Sequence, residues 1–311
     1  MASFWLSFTI IFCFNLSACF GFSSPTVYFT PRQPVDQLIL KLVGEAREKV
    51  YLASYQLGWE PLIKLCESLK NRGVEIKVIT EHIAPNCPKS LREVVRVDKK
   101  SSLFHAKFIT VDNRWLVTGS FNLTNDSFYL HHNNVLFFSD SGLIDFFQRR
   151  FLAWWRDETT PFFYENFNVK AAFSPEVDCE ALLANALGSA QKSIYFTQFQ
   201  FTCQRLAEIL IKKSFSGCQV FGIIEATATR YPSVFPFLFD LRVNVRRNLM
   251  AGLLHDKTFI IDGHQVITGS YNLTESARKN KECLLILEDE KLGSELLREW
   301  KKLWRWKSLP E

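Results

Sequence analysis

A pattern that occurs twice with identical internal spacing constrains this 311-residue chain most strongly. The first copy starts at Phe104 and the second at Leu253; they read FHAKFITVDNRWLVTGSFNLT and LLHDKTFIIDGHQVITGSYNLT. Both copies carry H-x-K-x4-D-x6-G-S-x-N. The two histidines, His105 and His255, lie 150 residues apart, which far exceeds the period of a stacked repeat. The chain is therefore predicted to be one unit duplicated into two halves.

The similarity between the halves extends upstream of this pattern. The stretch from Lys49 matches the stretch from Lys192; they read KVYLASYQLGWEPLIKLCESLKNRGVEIKVITE and KSIYFTQFQFTCQRLAEILIKKSFSGCQVFGIIE. Each half is predicted to contain strand, helix, strand, helix, strand, hairpin and helix. Strands that alternate with helices indicate an α/β fold, with a mixed sheet flanked by helices in each half. We predict a leader over residues 1–22, a first half over 23–165 and a second half over 166–311.

Each copy of the pattern gathers four polar side chains. Alternation along a strand puts His105 and Lys107 on one face, and it does the same for His255 and Lys257. A serine and an asparagine, again two residues apart, follow a glycine in each copy. An imidazole, an ammonium, a hydroxyl and a carboxamide together suit a tetrahedral phosphate. The predicted phosphate-binding residues are therefore Ser120, Asn122, Ser270 and Asn272.

The paired histidines and lysines suit cleavage of a phosphodiester without a metal ion. A neutral imidazole is a competent nucleophile at about pH 7, and a second imidazole can protonate the leaving oxygen and then activate water. Lys107 and Lys257 would neutralise the nonbridging oxygens, where charge stabilisation carries most of the catalysis. Neither copy supplies the carboxylate cluster that a two-metal site needs, so we expect no metal and no other cofactor.

Two pairs of acidic residues also occupy matching positions in the halves. Asp112 and Asp262 stand at predicted hairpin turns, where aspartate favours the turn geometry, so we interpret both as structural. Glu81 and Glu225 end matching strands. Their carboxylates either face the site or lie exposed at the strand ends.

The doubled pattern resembles the HKD signature of the phospholipase D superfamily, and the resemblance covers nearly all of the chain after the leader. It implies that the halves pair about a pseudo-twofold axis. It also implies one active site at their interface, formed within a single chain, and a covalent phosphohistidine intermediate. In that superfamily an acidic residue after the G-S-x-N segment often orients the histidine of the opposite half. Glu282 matches that position, whereas the first half has Asn134 at the aligned place.

This asymmetry predicts different roles for the two motif histidines. A carboxylate beside an imidazole holds its tautomer and stabilises positive charge. If Glu282 lies beside His105, then His105 is the nucleophile. His255, beside the neutral Asn134, is then the general acid and base. The remaining histidines lack a lysine two residues on and are expected in surface or hydrogen-bonded roles; they are His82, His131, His132 and His264.

The first 22 residues are apolar, carry no charged side chain and are about long enough to cross a bilayer. They fit a signal peptide, an uncleaved anchor, or a lipoprotein leader in which Cys19 is lipidated after cleavage. Each interpretation predicts a membrane-associated or secreted body, the last of them in a bacterial envelope. The net charge of +5 thus belongs to the body and suits a phosphate-bearing partner. The other six cysteines have no metal-site or disulfide spacing and are expected to be buried thiols.

The last helix is basic and rich in tryptophan, reading KLGSELLREWKKLWRWK from Lys291. Such a composition suits a helix that lies on a membrane surface. However, GLIDFFQRRFLAWWRD, from Gly142, occupies the same place in the first half. A helix that closes both halves is better explained by packing in the core.

Three classes of function fit these features: a phospholipid-cleaving phosphodiesterase, a nuclease that uses the same site on DNA or RNA, and a noncatalytic phosphate-binding scaffold. A scaffold has no need of two paired histidines. The leader and the apolar run FPFLF from Phe235 favour a lipid, although that run also fits a core helix. The matching first-half segment, from Lys89, is basic, and one apolar and one basic lip would suit acyl chains beside a phosphate headgroup. A single-stranded nucleic acid prefers a basic track with stacking aromatics. We predict a lipid phosphodiesterase of the phospholipase D type that associates with a membrane, with nuclease as the alternative.

Overall fold

A computed structural model describes residues 24–85, 87–98, 100–230 and 232–306. The predicted leader, with Cys19, lies outside the described residues, so its role stays a prediction. Within the described part of the chain, no helix is both long and apolar enough to cross a membrane.

The first half forms a seven-stranded mixed sheet with the strand order β1-β7-β6-β5-β2-β3-β4. Only the β2-β3 and β3-β4 pairs are parallel. The strands are β1 Thr26–Thr30, β2 Lys49–Leu57, β3 Glu75–Ile83, β4 Val95–Val97, β5 Phe108–Val111, β6 Trp115–Gly119 and β7 Asn133–Phe138.

The second half repeats this arrangement in an eight-stranded sheet with the order β12-β11-β10-β13-β14-β15-β9-β8. Its strands are β8 Phe163–Glu165, β9 Val169–Ser174, β10 Ser193–Gln198, β11 Gln219–Glu225, β12 Asn244–Asn248, β13 Lys257–Ile261, β14 Gln265–Gly269 and β15 Glu282–Glu288. Because β8 pairs with β9, the second sheet begins at Phe163, just before the predicted boundary at residue 165.

Nine α-helices flank the two sheets in the described residues, together with short 3-10 turns at Thr227–Arg230 and Ser276–Arg278. The crossover helices between parallel strands, α2 and α7, both end next to a glycine with positive φ, Gly73 at 88° and Gly217 at 91°. The helices are α1 Val35–Gly44, α2 Glu60–Asn71, α3 Lys89–Arg92, α4 Asn125–Tyr129, α5 Ser141–Trp155, α6 Cys179–Ser189, α7 Gln204–Phe215, α8 Phe235–Asp240 and α9 Glu290–Arg305.

Three apolar cores hold the molecule together, one behind each sheet and one shared by both halves. The outer cores lie under α1 and α2 in the first half and under α6 and α7 in the second. The shared core contains α5 and α9 with strands of both sheets, and Phe147 of α5 meets Phe173 of β9 at 5.1 Å between ring centroids. Trp300 of α9 is buried there and donates its indole N–H to Phe196 O at 2.9 Å. The prediction that the last helix packs in the core is therefore confirmed, as is the α/β fold of two mixed-sheet halves.

The six cysteines that follow the leader are all free and buried. They are Cys66, Cys87, Cys179, Cys203, Cys218 and Cys283. This agrees with the expectation of buried thiols.

Candidate active site

Each motif histidine is held by the backbone of the opposite half. His105 donates its backbone N–H to Lys281 O at 2.9 Å, and His255 donates its backbone N–H to His132 O at 2.9 Å. These contacts belong to two short parallel bridges that cross between the halves, beside Phe104 and beside Leu254. The two motifs thus meet at the interface of the two halves in equivalent ways.

The strand-end glutamates brace the backbone just before each motif histidine. Glu81 Oε2 accepts the backbone N–H of Phe104 at 2.8 Å, and Glu225 Oε2 accepts that of Leu254 at 2.7 Å. The two predicted placements, facing the site or exposed at the strand ends, do not describe these carboxylates. They act on the chain that carries the histidine, and their identical use in both halves shows how closely the duplication preserved the frame.

A carboxylate stands directly behind His105. The imidazole Nδ1 lies 2.7 Å from Glu282 Oε2, and Ser270 donates its hydroxyl to the same oxygen at 2.6 Å. Burial disfavours the charge on Glu282, but contact with His105 and Lys107 outweighs it and lowers the pKa of Glu282. The carboxylate is therefore ionised and accepts the Nδ1 proton, which leaves the His105 Nε2 lone pair free. The expected contact across the interface is present.

A carboxamide takes the corresponding place behind His255. Asn133 Oδ1 lies 3.0 Å from His255 Nδ1, and Ser120 donates to the same Oδ1 at 3.1 Å. The Asn133 Nδ2 group donates to Ser127 O at 3.0 Å and to Thr30 Oγ1 at 3.2 Å, which fixes the orientation of the amide. His255 thus has a neutral partner where His105 has a charged one.

The prediction that Asn134 lies beside His255 is wrong by one position, because Asn133 takes that place. Its side chain donates to Thr258 Oγ1 at 2.7 Å and accepts from Thr268 Oγ1 at 3.2 Å, with no contact to His255. The cause is the register. Ser120 N donates to Asn134 O as Ser270 N donates to Cys283 O, so Asn134 matches Cys283 and Asn133 matches Glu282. A shift of one residue turns a strand side chain to the opposite face.

A buried charge pair lies behind the carboxamide. Asp256 Oδ1 accepts from Ser120 Oγ at 3.3 Å, and Asp256 Oδ2 lies 2.8 Å from His132 Nδ1. His132 Nε2 lies 3.1 Å from Glu299 Oε1. Burial opposes a charge on His132, but Asp256 and Glu299 outweigh it and raise the pKa of His132 to about 9. A chain of contacts thus runs from an imidazolium through a carboxylate, a hydroxyl and a carboxamide to His255.

Sequence reasoning missed Asp256 and His132. A signal existed, because the second copy of the motif reads H-D-K where the first reads H-A-K, with Asp256 in place of Ala106. Only the fold shows that this aspartate meets a histidine of the other half.

The two lysines face a common, crowded environment. Lys107 Nζ donates to His105 O at 2.7 Å, and Lys257 Nζ donates to His255 O at 2.5 Å. Burial lowers the pKa of Lys107 to about 8 against the opposing effect of Glu282. Burial and repulsion from Lys107 lower the pKa of Lys257 well below its usual range. Two ammonium groups held this close attract an anion between them.

Both imidazoles are neutral in this environment. Burial, opposed by Glu282, lowers the pKa of His105 to about 4. Burial followed by repulsion from Lys257 and Lys107 lowers the pKa of His255 well below its usual range. A neutral imidazole with its Nδ1–H engaged presents Nε2 as a base or nucleophile.

Two aromatic side chains at matching positions line the site. Tyr55 lies 5.1 Å from His105 and Phe199 lies 4.8 Å from His255, measured between ring centroids. The Lys257 ammonium also sits 5.0 Å from the Phe199 ring centroid. These half-buried rings are positioned to shield the imidazoles from water.

The predicted phosphate-binding residues divide into two groups. Ser120 and Ser270 are fully buried, and their hydroxyls support the groups behind the histidines rather than the cleft. The side-chain oxygens of Asn122 and Asn272 are buried with no hydrogen-bond partner among the described residues. Their carboxamides are not engaged by the protein, so phosphate binding stays a prediction for these two residues.

The motif aspartates lie at the hairpin turns, each with φ of 51°. Asp112 Oδ1 accepts the backbone N–H of Lys49 at 3.0 Å, and Asp262 Oδ1 accepts that of Ser193 at 2.8 Å. Each carboxylate ties its hairpin to the start of the neighbouring strand. In the described ranges, no group of three or more His, Cys, Asp or Glu side chains is arranged to hold a metal ion.

Comparison with known proteins shows the family to which this chain is similar. The family model described as "Cardiolipin synthase, PLD-like domain" matches residues 39–155 and 183–304. A phospholipase D of Rickettsia prowazekii is 29% identical over 137 residues, which cover 43% of this chain and 66% of that protein. A mitochondrial cardiolipin hydrolase of Xenopus laevis is 28% identical over 141 residues, which cover 43% and 66%. The chain thus spans just under two thirds of the length of these relatives.

Solved structures match both halves of the chain together. The phosphatidylserine synthase of Haemophilus influenzae Rd KW20 superposes with a TM-score of 0.69 at 11% identity, over 90% of this chain and 86% of that chain. At this identity the likeness concerns the fold alone.

Proposed function

This chain belongs to the phospholipase D superfamily, and on that premise we propose that it is a phosphodiesterase that hydrolyses phospholipids through a phosphohistidine on His105. The observation that carries the proposal is the interface itself. Two neutral imidazoles from the two halves meet there beside Lys107 and Lys257, and each presents Nε2 while its Nδ1 is engaged.

His105 is the proposed nucleophile because its partner is a carboxylate. When Nε2 forms a bond to phosphorus, positive charge develops on the ring, and Glu282 at 2.7 Å stabilises that charge. The attack expels the alcohol of the diester, and the phosphoryl group stays on His105.

His255 is the proposed general acid and base. A phosphodiester brings a negative charge that offsets the repulsion from Lys257 and Lys107, which lets His255 hold the proton it needs. His255 gives this proton to the leaving oxygen and then takes one from water. The water oxygen attacks phosphorus, the bond to His105 breaks, and the phosphomonoester leaves.

The lysines and asparagines would hold the phosphate during both steps. The ammonium groups of Lys107 and Lys257 neutralise nonbridging oxygens, and the Nδ2–H groups of Asn122 and Asn272 are suited to donate to them. Because the two lysines come from different halves, the phosphate would be centred on the pseudo-twofold axis.

A lipid substrate is favoured by the names of the relatives, phospholipase D and cardiolipin hydrolase, and by the apolar leader that would bring the chain to a membrane. A nuclease remains the second candidate because of one feature, the basic segment that contains α3 and β4 and reads KSLREVVRVDKK. Such a track would suit a nucleic acid backbone.

The test is a side-by-side assay of the purified full chain on mixed phospholipid vesicles and on single-stranded DNA and RNA, with excess chelator present. We expect release of lipid headgroup in chelator and none from a His105→Asn variant. Cleavage of nucleic acid with intact lipid would replace the substrate assignment. Loss of all turnover in chelator that a divalent cation restores would contradict the mechanism.

The leader is proposed to direct the chain to a membrane, as a cleaved signal, an anchor or a lipidated segment. The test is fractionation of cells that express the full chain. Recovery of the whole protein in the soluble cytoplasmic fraction with an intact amino terminus would contradict it.

A further inference from the structure

An open groove lies at the edge of the second sheet, between α8, β12 and the end of α9. It encloses about 850 Å³. Its walls are mainly aromatic and aliphatic, and they include Phe235, Phe239, Leu249, Trp304 and Trp306. The groove is separate from the motif residues that form the candidate active site.

Large apolar side chains project to solvent around this groove. Phe239 and Leu249 are each 59% exposed, Trp306 is 54% exposed and Phe237, on the same short helix, is 38% exposed. Single exposed apolar residues are common on soluble proteins, whereas a contiguous group of them marks a site of interaction. The run FPFLF therefore has two faces, because Phe235 and Leu238 are buried while Phe237 and Phe239 point outward.

Two arginines of the edge strand share the groove with these side chains. Arg246 donates to Trp304 O at 2.9 Å and stacks 4.0 Å from the Trp304 ring centroid. Arg247 stacks 4.8 Å from the Phe235 ring centroid. Among the described residues neither guanidinium has an ion-pair partner, and Asp240 is the acidic residue in the lining. Two positive charges thus stand beside apolar surface, and no carboxylate of the described residues forms an ion pair with either of them.

The first half has an arginine at the position that matches Arg246, and the two arginines differ in their partners. Arg96 matches Arg246 and likewise donates to a tryptophan carbonyl, that of Trp155. There, however, Asp157 forms ion pairs with both Arg96 and Lys100. Arginines without an ion-pair partner are therefore a property of this place in the second half and not of the fold that both halves share.

We infer that this groove docks onto the surface of an anionic phospholipid bilayer, with its exposed aromatics in the acyl boundary and its arginines on lipid phosphates. Aromatic and aliphatic side chains mixed with arginine are the composition that lies at such an interface, and two unpaired guanidinium groups complement its negative charge. The inference deepens the proposed function and rests on it, because it takes a phospholipid to be the substrate.

The groove is also joined to the active site by one carboxylate. Asn248, at the end of β12, donates to Glu225 Oε2 at 2.9 Å, and the same oxygen holds the backbone of Leu254 next to His255. A bilayer seated on the groove would thus lie against the segment that positions the proposed acid and base.

A fluorophore that reports lipid contact tests the docking directly. An environment-sensitive dye is attached at Phe239→Cys, and separately at Phe167→Cys as the matched control, because Phe167 is fully exposed and does not line the groove. Both full-length proteins, with His105→Asn to prevent hydrolysis, are reconstituted into phosphatidylcholine vesicles that contain phosphatidylglycerol and brominated lipid. We expect quenching at position 239 and not at position 167. Equal quenching at both positions, or none at 239, overturns the inference.

The arginines give a second, kinetic test. The Arg246→Gln/Arg247→Gln variant should hydrolyse anionic vesicles about 30-fold less efficiently, at about fivefold for each lost arginine contact with the surface. Its turnover of a soluble short-chain phosphodiester should be unchanged. If the unsubstituted chain and the double variant both fail to cleave either substrate, the proposed function is contradicted. If both are active and cleave anionic vesicles at equal rates, only the inference about the groove is contradicted. Lipid-independent quenching at position 239 would assign the groove to a second copy of the chain or to residues 307–311 instead.

Discussion

The two sides of the candidate active site share a backbone and differ in charge. His105 has the ionised Glu282 at its Nδ1, whereas His255 has the neutral Asn133. On the second side a carboxylate, that of Asp256, is linked to His255 only through Ser120 and Asn133, and it is paired with the His132 imidazolium. The duplication thus preserved the position of both imidazoles while it changed what stands behind them. The difference separates an imidazole that can bear the positive charge of an adduct from one that can exchange a proton.

The contacts that the glutamates and the motif lysines make with the backbone are the same on both sides, so they do not account for a difference between the two histidines. Glu81 and Glu225 hold equivalent backbone groups, and the two motif lysines each donate to the carbonyl of their own histidine. Differences in behaviour between His105 and His255 can therefore be traced to the groups at Nδ1.

The largest expected effect follows from removing either imidazole. His105→Asn and His255→Asn should each lower steady-state turnover by at least about 10⁴-fold, because each is needed in every cycle. Turnover is measured by headgroup release. His264→Asn, at an exposed hairpin histidine, is the matched control and should retain full rate. A variant of either motif histidine that keeps more than a small part of the rate would contradict its place in the chemistry.

Glu282→Gln makes the His105 side resemble the His255 side. The carboxamide keeps the shape and can still accept from Nδ1, but it removes a charge-assisted contact worth about 1.5–3 kcal/mol, so turnover should fall about 10–150-fold. Single-turnover rates with an activated substrate measure the attack step. Glu288→Gln, at the far end of β15, controls for general loss of charge. An unchanged attack rate would show that Glu282 does not favour His105 as nucleophile.

Asn133→Asp combined with Asp256→Asn moves one carboxylate to His255 at constant total charge. An opposite charge at this distance should raise the pKa of His255 by about 1–3 pH units. The value is followed by NMR titration in a His105→Asn background. The Asp256→Asn single variant separates the loss of the old charge from the gain of the new one. If the double variant leaves the His255 titration where it was, the Nδ1 partner does not control this imidazole.

The pH dependence of kcat/KM should reflect the lysines on one limb and the nucleophile on the other. The Lys107 ammonium binds phosphate, and burial lowers the pKa of Lys107 to about 8, so activity should be lost by the time pH has risen through about 8. The lowered pKa values of Lys257 and of the acid His255 should begin this loss at lower pH. His105 acts as the neutral ring, and its pKa is lowered to about 4, so the acid limb should lie near that value. Thermal unfolding at each pH excludes denaturation. An alkaline limb at the ordinary lysine pKa would contradict the crowded ammonium pair.

Much of this arrangement could be predicted from the sequence because the duplication supplied an internal alignment. The repeated spacing predicts two matched sheets, and the resemblance to the phospholipase D superfamily implies that His105 of one half and Glu282 of the other meet at their interface. The register of Asn133 could not be predicted, because the first half has 13 positions from Ser120 to Asn133 where the second has 12 from Ser270 to Glu282. An ungapped count points to His132, whereas matching the apolar runs that follow selects Asn134, the neighbour on the other side of Asn133.

Other features depend on contacts between distant segments. The pairing of His132 with Asp256 joins residues 124 positions apart, so no local pattern announces it. The sequence identifies Glu81 and Glu225 as a matched pair. It does not predict that each accepts a hydrogen bond from the backbone of the motif segment, because that contact forms only in the folded protein. The groove beside α8 likewise forms only when α9 returns to the edge strand.

Mapping of a trapped adduct tests the central claim most directly. Each histidine variant is mixed with a phosphodiester that has a good leaving group, quenched within one turnover and examined by peptide mass spectrometry. His255→Asn retains the nucleophile and lacks the base that activates water, so it should accumulate phosphate on His105, while His105→Asn should accumulate none. Phosphate on His255 in the His105→Asn variant would contradict the assignment of the two sides.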